Sequence, residues 1–197
     1  MRVLVLAGAM LAPGAGAAQV TGAPSFNAPY RAFGQHEFGG TLSFPGGADF
    51  AVEGQYRFGH QQFDIGARGG IFQPGGNADT RVVLGATARQ RVITHTEELP
   101  LDGAVLVGIG AQLVSGGSTV LVPAGISLGR RLEFEDSDIS VVAYGQPTVL
   151  LKLDGGSDID VALGLGADIR LSRLFDLRVS VGLGDLEGIA VSAVWIR

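Results

Sequence analysis

The chain contains no cysteine, and only 17% of its 197 residues are charged. Without cysteine, neither a disulfide-stapled scaffold nor a thiolate metal site can form. Low charge combined with 46% hydrophobic residues argues against intrinsic disorder, which needs the opposite balance. The formal net charge of −5 offers no basic surface for a polyanion, so we expect no nucleic acid partner.

Long hydrophobic runs are also missing. No apolar stretch reaches the ~18 residues that a membrane-spanning helix needs. The N-terminus nevertheless has the layout of an export signal, with a positive charge at Arg2, a short apolar core at 3–12 and small residues at 15–18. This layout predicts a signal peptide at 1–18, cleaved after Ala17 or Ala18. An exported chain of this kind is either soluble or crosses a membrane as strands.

What the chain has instead is alternation. In the stretch SDIDVALGLGADIRLS at 157–172, the odd positions from 159 to 171 are all apolar and the even positions are polar, charged or small. A period of two over this length predicts a strand with one apolar face. Ten such segments follow one another over 35–197, and no charged residue lies on their apolar faces.

The connections between segments are short, so neighbouring strands are expected to pair antiparallel. Alternate connections contain Gly-Gly pairs, at 46–47, 75–76, 116–117 and 155–156, whereas the others are more polar. This rhythm is typical of the two ends of an up-and-down barrel. The sequence predicts an all-β antiparallel barrel of about ten strands, with eight as the alternative because the first segment is short and Pro147 interrupts the seventh. Residues 19–34 lack periodicity and are interpreted as an extended lead-in, partly tucked into the barrel mouth.

The alternation leaves open which medium lies on which side. In a soluble barrel that carries a lipophilic ligand, the apolar faces would point inward. The small and paired-charge character of the other face instead suits a narrow lumen, and the aromatic residues lie mainly near segment ends, as interfacial girdles require. These interfacial aromatic candidates are Phe44, Phe50, Phe58, Phe63, Phe175 and Trp195. The pattern favours a transmembrane barrel with lipid outside.

With these features the chain resembles the bacterial outer-membrane β-barrel class, of the small porin-like kind, over 35–197 and the signal. Its last segment, EGIAVSAVWIR, looks like the C-terminal assembly signal of that class, except that the aromatic Trp195 stands two residues before the end. The resemblance implies an outer-membrane location, with membrane lipid and the outer-membrane assembly machinery as partners. A second copy or another envelope protein remains open as a further partner.

The polar face predicts the content of the lumen. Acids and bases are nearly balanced there, which suggests an ion-paired core, because unpaired charges in a confined space are costly. The alternative is a charged conduit for a small polar solute. The ion-pair candidates are Glu53, Arg57, Asp64, Arg68, Arg89, Asp158, Asp160, Asp168, Arg170 and Arg178, and the same face carries Glu37, Asp102, Arg81, Arg91 and Lys152.

Candidate catalytic chemistry is sparse. The histidines His36, His60 and His95 lie near segment ends or turns and lack metal-ligand spacing. We therefore expect no catalytic residue, cofactor or metal site, and a structural, anchoring or narrow-channel role. A barrel-embedded enzyme is the alternative, and it would need an Asp or Ser beside one of these histidines.

Overall fold

Ten antiparallel strands close into a barrel in the computed structural model, which describes residues 20–29, 36–134 and 139–197. The predicted signal peptide at 1–18 lies outside the described residues. Each strand pairs with its neighbours in the chain, and β1 pairs with β10 to complete the ladder. The strands are β1 His36–Pro45, β2 Ala48–His60, β3 Phe63–Pro74, β4 Arg81–Ile93, β5 Asp102–Val114, β6 Gly117–Glu133, β7 Ser140–Leu153, β8 Ser157–Ser172, β9 Phe175–Gly184 and β10 Gly188–Ile196. The predicted all-β barrel is confirmed, with ten strands rather than eight.

The strands are tilted and staggered around the barrel. A path that follows the paired residues once around the wall returns to β1 about 12 residues from its starting point. This stagger corresponds to the strand tilt of ~35–45° found in closed barrels. Because the ladder closes on itself, the described wall leaves no unpaired sheet edge. No helix in the described part of the chain is long and apolar enough to cross a membrane.

The two ends of the barrel differ in their connections. At one end, each of the five connections contains a glycine with positive φ, at Gly47, Gly76, Gly116, Gly155 and Gly184. A positive φ is favourable for glycine alone among common residues, so the Gly-Gly pairs serve the tight hairpin turns. We call this the glycine-turn end. At the opposite end, the terminal end, β1 begins and β10 finishes, and the backbones of His36 and Arg197 exchange two hydrogen bonds of 3.0 and 2.9 Å.

The wall places its apolar side chains outside. Among the described residues, thirty-six large apolar side chains are exposed, whereas twelve apart from alanine are buried. Along β8 the residues Val161, Leu163 and Leu165 are exposed, while Ala162 and Gly164 between them are buried. The inward positions carry mainly small, polar and charged residues, with some apolar ones such as Leu121 and Leu150. The barrel therefore has the reverse of the distribution expected for a protein in water.

Two details differ from the sequence-based expectation. The polar stretch RRLEFEDSD at 130–138 was expected to be a connection between strands. The connection begins later, because β6 stays paired with β7 through Arg130↔Ala143 as far as Glu133↔Ser140. Arg130 consequently points outward near the end of β6, so the prediction of a charge-free apolar face is wrong at this one position. The two strand prolines, Pro123 and Pro147, interrupt the pairing locally, and the same register resumes beyond each of them without a bulge.

Close strand packing makes Gly70 essential to the fold. A Cβ at this position would meet the carbonyl oxygen of Val52 and would lie 2.7 Å from the Cα of Glu53. We expect Gly70→Ala to destabilise the folded barrel by about 1–3 kcal/mol, the cost of overpacking. The measurement is urea unfolding of the barrel refolded in detergent micelles.

Gly40→Ala is the matched control, because a Cβ there lies 3.9 Å from its nearest neighbour on the outward face. It should be neutral or stabilising by about 0.4–1 kcal/mol, through a less flexible unfolded chain. Equal stabilities of the two variants would contradict the close approach of β2 and β3.

Candidate functional site: the occupied lumen

Residues 20–29, which we call the plug segment, run inside the barrel. Val20, Thr21, Ala23, Phe26 and Ala28 are all no more than 2% exposed. This segment belongs to the lead-in at 19–34, which was expected to be partly tucked into the barrel mouth. It instead reaches through the interior, from contacts with Gly110 and Gln112 of β5, past the turn between β9 and β10, to Asn27 among the arginines near the terminal end.

Lumen-facing glycines make room for the plug segment. A Cβ at Gly85 would lie 2.6 Å from the Cβ of Val20, and a Cβ at Gly164 would collide with the ring of Phe26. The same holds at Gly182, where a Cβ would lie 3.2 Å from Pro24 and would meet the carbonyl oxygen of Leu186. Much of the glycine on the inward face therefore forms a groove for the segment.

Apolar contacts hold the plug segment on one side of the lumen. Phe26 is the centre of a buried cluster contributed by β6, β7, β8 and the last hairpin turn, whose members are Phe26, Ala28, Leu121, Val142, Tyr144, Leu150, Ala162 and Leu186. A second, smaller cluster contains Ala23 with Ala51, Phe72 and Val83. Burial of a phenylalanine contributes about 1.5–3 kcal/mol, so Phe26 is the main apolar anchor of the segment.

Polar side chains of the wall satisfy the plug backbone. Gln112 Nε2 donates to the carbonyl of Thr21 at 3.2 Å, and Ser180 Oγ donates to the carbonyl of Pro24 at 2.8 Å. Ser127 Oγ donates to the carbonyl of Asn27 at 2.7 Å, and the Asn27 amide donates to Gln146 Oε1 at 3.3 Å. Buried backbone groups need such partners, and here they come from side chains.

Buried ion pairs line the lumen towards the terminal end. Asp64 accepts from both Arg57, at 2.6 Å, and Arg89, at 3.0 Å. Glu37, which is completely buried, accepts two hydrogen bonds from Arg178, at 2.9 and 2.6 Å. Asp168 lies 3.2 Å from Nε of the same arginine. A buried charge is tolerable only when it is paired and hydrogen-bonded, and Asp64 and Glu37 meet that condition.

The other predicted lumen residues occupy more varied positions. Lys152 and Asp160 form a partly exposed pair at 2.5 Å, and Arg68 lies 3.9 Å from Glu53. Asp158 is exposed at the start of β8, outside the buried network. Arg170 pairs at 3.2 Å with Asp176, a buried acid that the sequence reasoning missed. The sequence did indicate this inward position, because Asp176 alternates with the outward Phe175 and Leu177.

The predicted interfacial aromatic residues all point outward, near strand ends. Phe44 and Phe50 lie near the glycine-turn end, and the others lie near the terminal end. There the rings of Phe175 and Trp195 pack edge to face with centroids 5.2 Å apart. The full set is Phe44, Phe50, Phe58, Phe63, Phe175 and Trp195.

The histidines lie at the terminal end of the barrel. His36 Nδ1 is 2.9 Å from the Tyr56 hydroxyl, and His60 is exposed. His95 Nδ1 lies 3.4 Å from the buried Asp102 at the start of β5, but the His95 side chain lies in a connecting loop and is 68% exposed. Throughout residues 20–29, 36–134 and 139–197, no three His, Asp or Glu side chains are grouped so that they could hold a metal ion.

Little space remains between the plug segment and the wall around the arginines. A cavity of about 10 Å³ lies between Asn27 of the plug and the wall residues Gln55, Arg57, Arg68 and Thr87. That volume accommodates about one water molecule. The arrangement can hold small polar species but leaves no wide passage at this level.

Comparison with known proteins adds no family. No protein-family model matches the chain, and no curated protein matches it significantly. Function is therefore argued from the barrel and its lumen.

The buried Glu37–Arg178 pair predicts a large effect of a small change. Glu37→Gln keeps the shape of the side chain but leaves Arg178 with Asp168 alone. We expect a loss near the lower end of ~3–5 kcal/mol, the usual cost of breaking a buried pair. The measurement is urea unfolding of the refolded barrel.

Glu133→Gln serves as the control, because Glu133 pairs with Arg131 at 3.1 Å while remaining 72% exposed. An exposed pair contributes less than about 1 kcal/mol. If Glu37→Gln and Glu133→Gln lower the free energy of unfolding by the same small amount, the lumen network does not stabilise the barrel.

Proposed function

We propose that this chain is an integral outer-membrane β-barrel with a structural or anchoring role, whose lumen is closed by its own plug segment. The observation that carries the proposal is the outward wall. Large aliphatic side chains such as Val107 and Ile109, each 58% exposed, cover it on every strand, and away from the strand ends it carries no charge among the described residues.

The energetics of that wall favour lipid as its surroundings. Monomeric proteins in water rarely expose apolar patches above about 600 Å², whereas this apolar surface continues around the whole barrel. Acyl chains remove the cost of about 0.8 kcal/mol for each CH₂ left in water. Strands of 9 to 17 residues are long enough for the ~9–11 residues that a tilted membrane strand needs.

The chemistry of the interior counts against a soluble ligand carrier. Such a protein needs an apolar cavity, but this lumen contains buried ion pairs and the plug segment. Because the plug segment occupies the lumen, an anchoring role is favoured over an open channel while the plug segment is in place. The His95–Asp102 pair gives little support to an embedded enzyme, because the His95 side chain is largely exposed in a connecting loop.

The first test is partition between detergent and water after removal of residues 1–18. We expect the folded protein in the detergent-rich phase, with a gel mobility that changes on heating. A folded, monodisperse protein in detergent-free buffer would overturn the proposal.

A second test uses the depth dependence of a charge in lipid. Val107 lies near the middle of β5, so Val107→Arg should destabilise the barrel in lipid vesicles by about 2–4 kcal/mol. Ile159, near the glycine-turn end of β8, is also outward, and Ile159→Arg should cost only about 0–1 kcal/mol. Urea unfolding in vesicles measures both.

The same pair of variants separates the two environments. An arginine on a water-exposed surface changes stability within about 0.5 kcal/mol at either site. Two equal, small effects would therefore place water, not lipid, on the outer wall.

A further inference from the structure

The plug segment fills the barrel without belonging to the sheet. The ten strands pair only with one another, and the ladder is closed without residues 20–29. Within the described chain, the one backbone–backbone hydrogen bond of the segment is internal, from the Ser25 amide to the Ala23 carbonyl at 2.7 Å. Departure of the segment would therefore leave every strand pairing intact.

Three arginines on adjacent strands donate to neutral oxygen atoms of the segment. Arg57 of β2 donates to Asn27 Oδ1 at 2.7 Å, and Arg68 of β3 donates to Ser25 Oγ at 3.1 Å. Arg89 of β4 donates to the Ala28 carbonyl. We call Arg57, Arg68 and Arg89 the basic strip. The plug oxygens occupy the position that an anion would take beside guanidinium groups.

The basic strip has more positive charge than its own ion pairs balance. Its three guanidinium groups share two carboxylates, because Asp64 serves both Arg57 and Arg89, and Glu53 approaches Arg68 only to 3.9 Å. Among the residues that the structure describes, Nε of Arg57 and Nη1 of Arg68 have no hydrogen-bond acceptor. Both arginines line the ~10 Å³ cavity against the plug. Unused donors thus face the space next to the segment.

We propose that residues 20–29 are a displaceable plug, and that the barrel without it admits small inorganic anions along the basic strip. Displacement exposes the strip and opens the glycine-lined groove that now holds Val20 and Phe26. Clustered guanidinium groups in a narrow, low-dielectric passage attract anions and repel cations. The proposal rests on the proposed function only for its conduction part, because displacement itself can be measured in detergent micelles.

Displacement is measured with a single thiol in this cysteine-free chain. Ser25→Cys places the thiol on the plug, and Phe26→Asp expels the plug by putting a carboxylate among Leu121, Leu150 and Tyr144. We expect the thiol to react at least tenfold faster in the double variant. We also expect a negatively charged methanethiosulfonate reagent to react faster than a positively charged one of similar size. Asn77→Cys, in an exposed turn, is the control and should react equally with and without Phe26→Asp.

Conduction is measured in planar bilayers under a KCl gradient. We expect Phe26→Asp to open far more often than the unaltered chain, with a reversal potential displaced towards that of chloride. Adding Arg68→Gln should reduce the displacement. Asn77→Asp adds the same carboxylate at the exposed turn and should leave the bilayer current unchanged.

Several outcomes would overturn the proposal. Unchanged thiol reactivity in a Phe26→Asp barrel that keeps its heat-modified mobility would mean that the plug is fixed. A cation-selective current would refute the anion pathway. If Phe26→Asp does not fold, Gly164→Ala replaces it, since the added Cβ collides with the Phe26 ring, and the same results are required. Failure to partition into detergent would contradict the outer-membrane proposal while leaving the thiol measurement decisive for the plug.

Discussion

The structure depends on one constraint, which is that a single layer of strands carries an apolar face on the outside and a mainly polar face on the inside. Each strand must turn apolar side chains to one side and polar side chains to the other, residue by residue. Closure of the ladder gives every strand a hydrogen-bonded neighbour on both sides. Such pairing of backbone groups matters most where no water can reach the backbone. The outward valines, leucines and isoleucines and the inward acids and arginines are two consequences of this rule.

A ten-stranded wall creates a second problem, because its interior is wider than small inward residues can fill. Eight strands are about the size at which side chains alone fill a barrel. Here the inward face combines glycine with long arginines, and ten residues of the same chain occupy the remainder. The glycines at 85, 110 and 164 therefore matter less for flexibility than for the space they leave for Val20 and Phe26.

Much of the wall was predictable because it follows a strict local rule. Alternation at 157–172 and glycines in alternate turns correspond to β8 and to the positive-φ hairpins. The plug segment was not predictable in the same way, since its contacts join residue 26 to residues near 121, 150 and 186, and it has no period of its own. Strand ends were hardest, because backbone pairing beyond the polar residues decides them. Arg130 is paired within β6 although it was expected in a connection. Asp158 is exposed at the start of β8 although it was expected in the lumen.

The placement of the charges distinguishes ion pairs within the wall from arginine donors that are shared with the plug segment. Arg178 of β9 pairs with both Glu37 of β1 and Asp168 of β8, and neither ion pair involves the plug segment. Arg57, Arg68 and Arg89 divide their donors between wall carboxylates and neutral plug oxygens. The lumen thus combines a wall that is self-sufficient with an occupant that it holds by a few separate contacts.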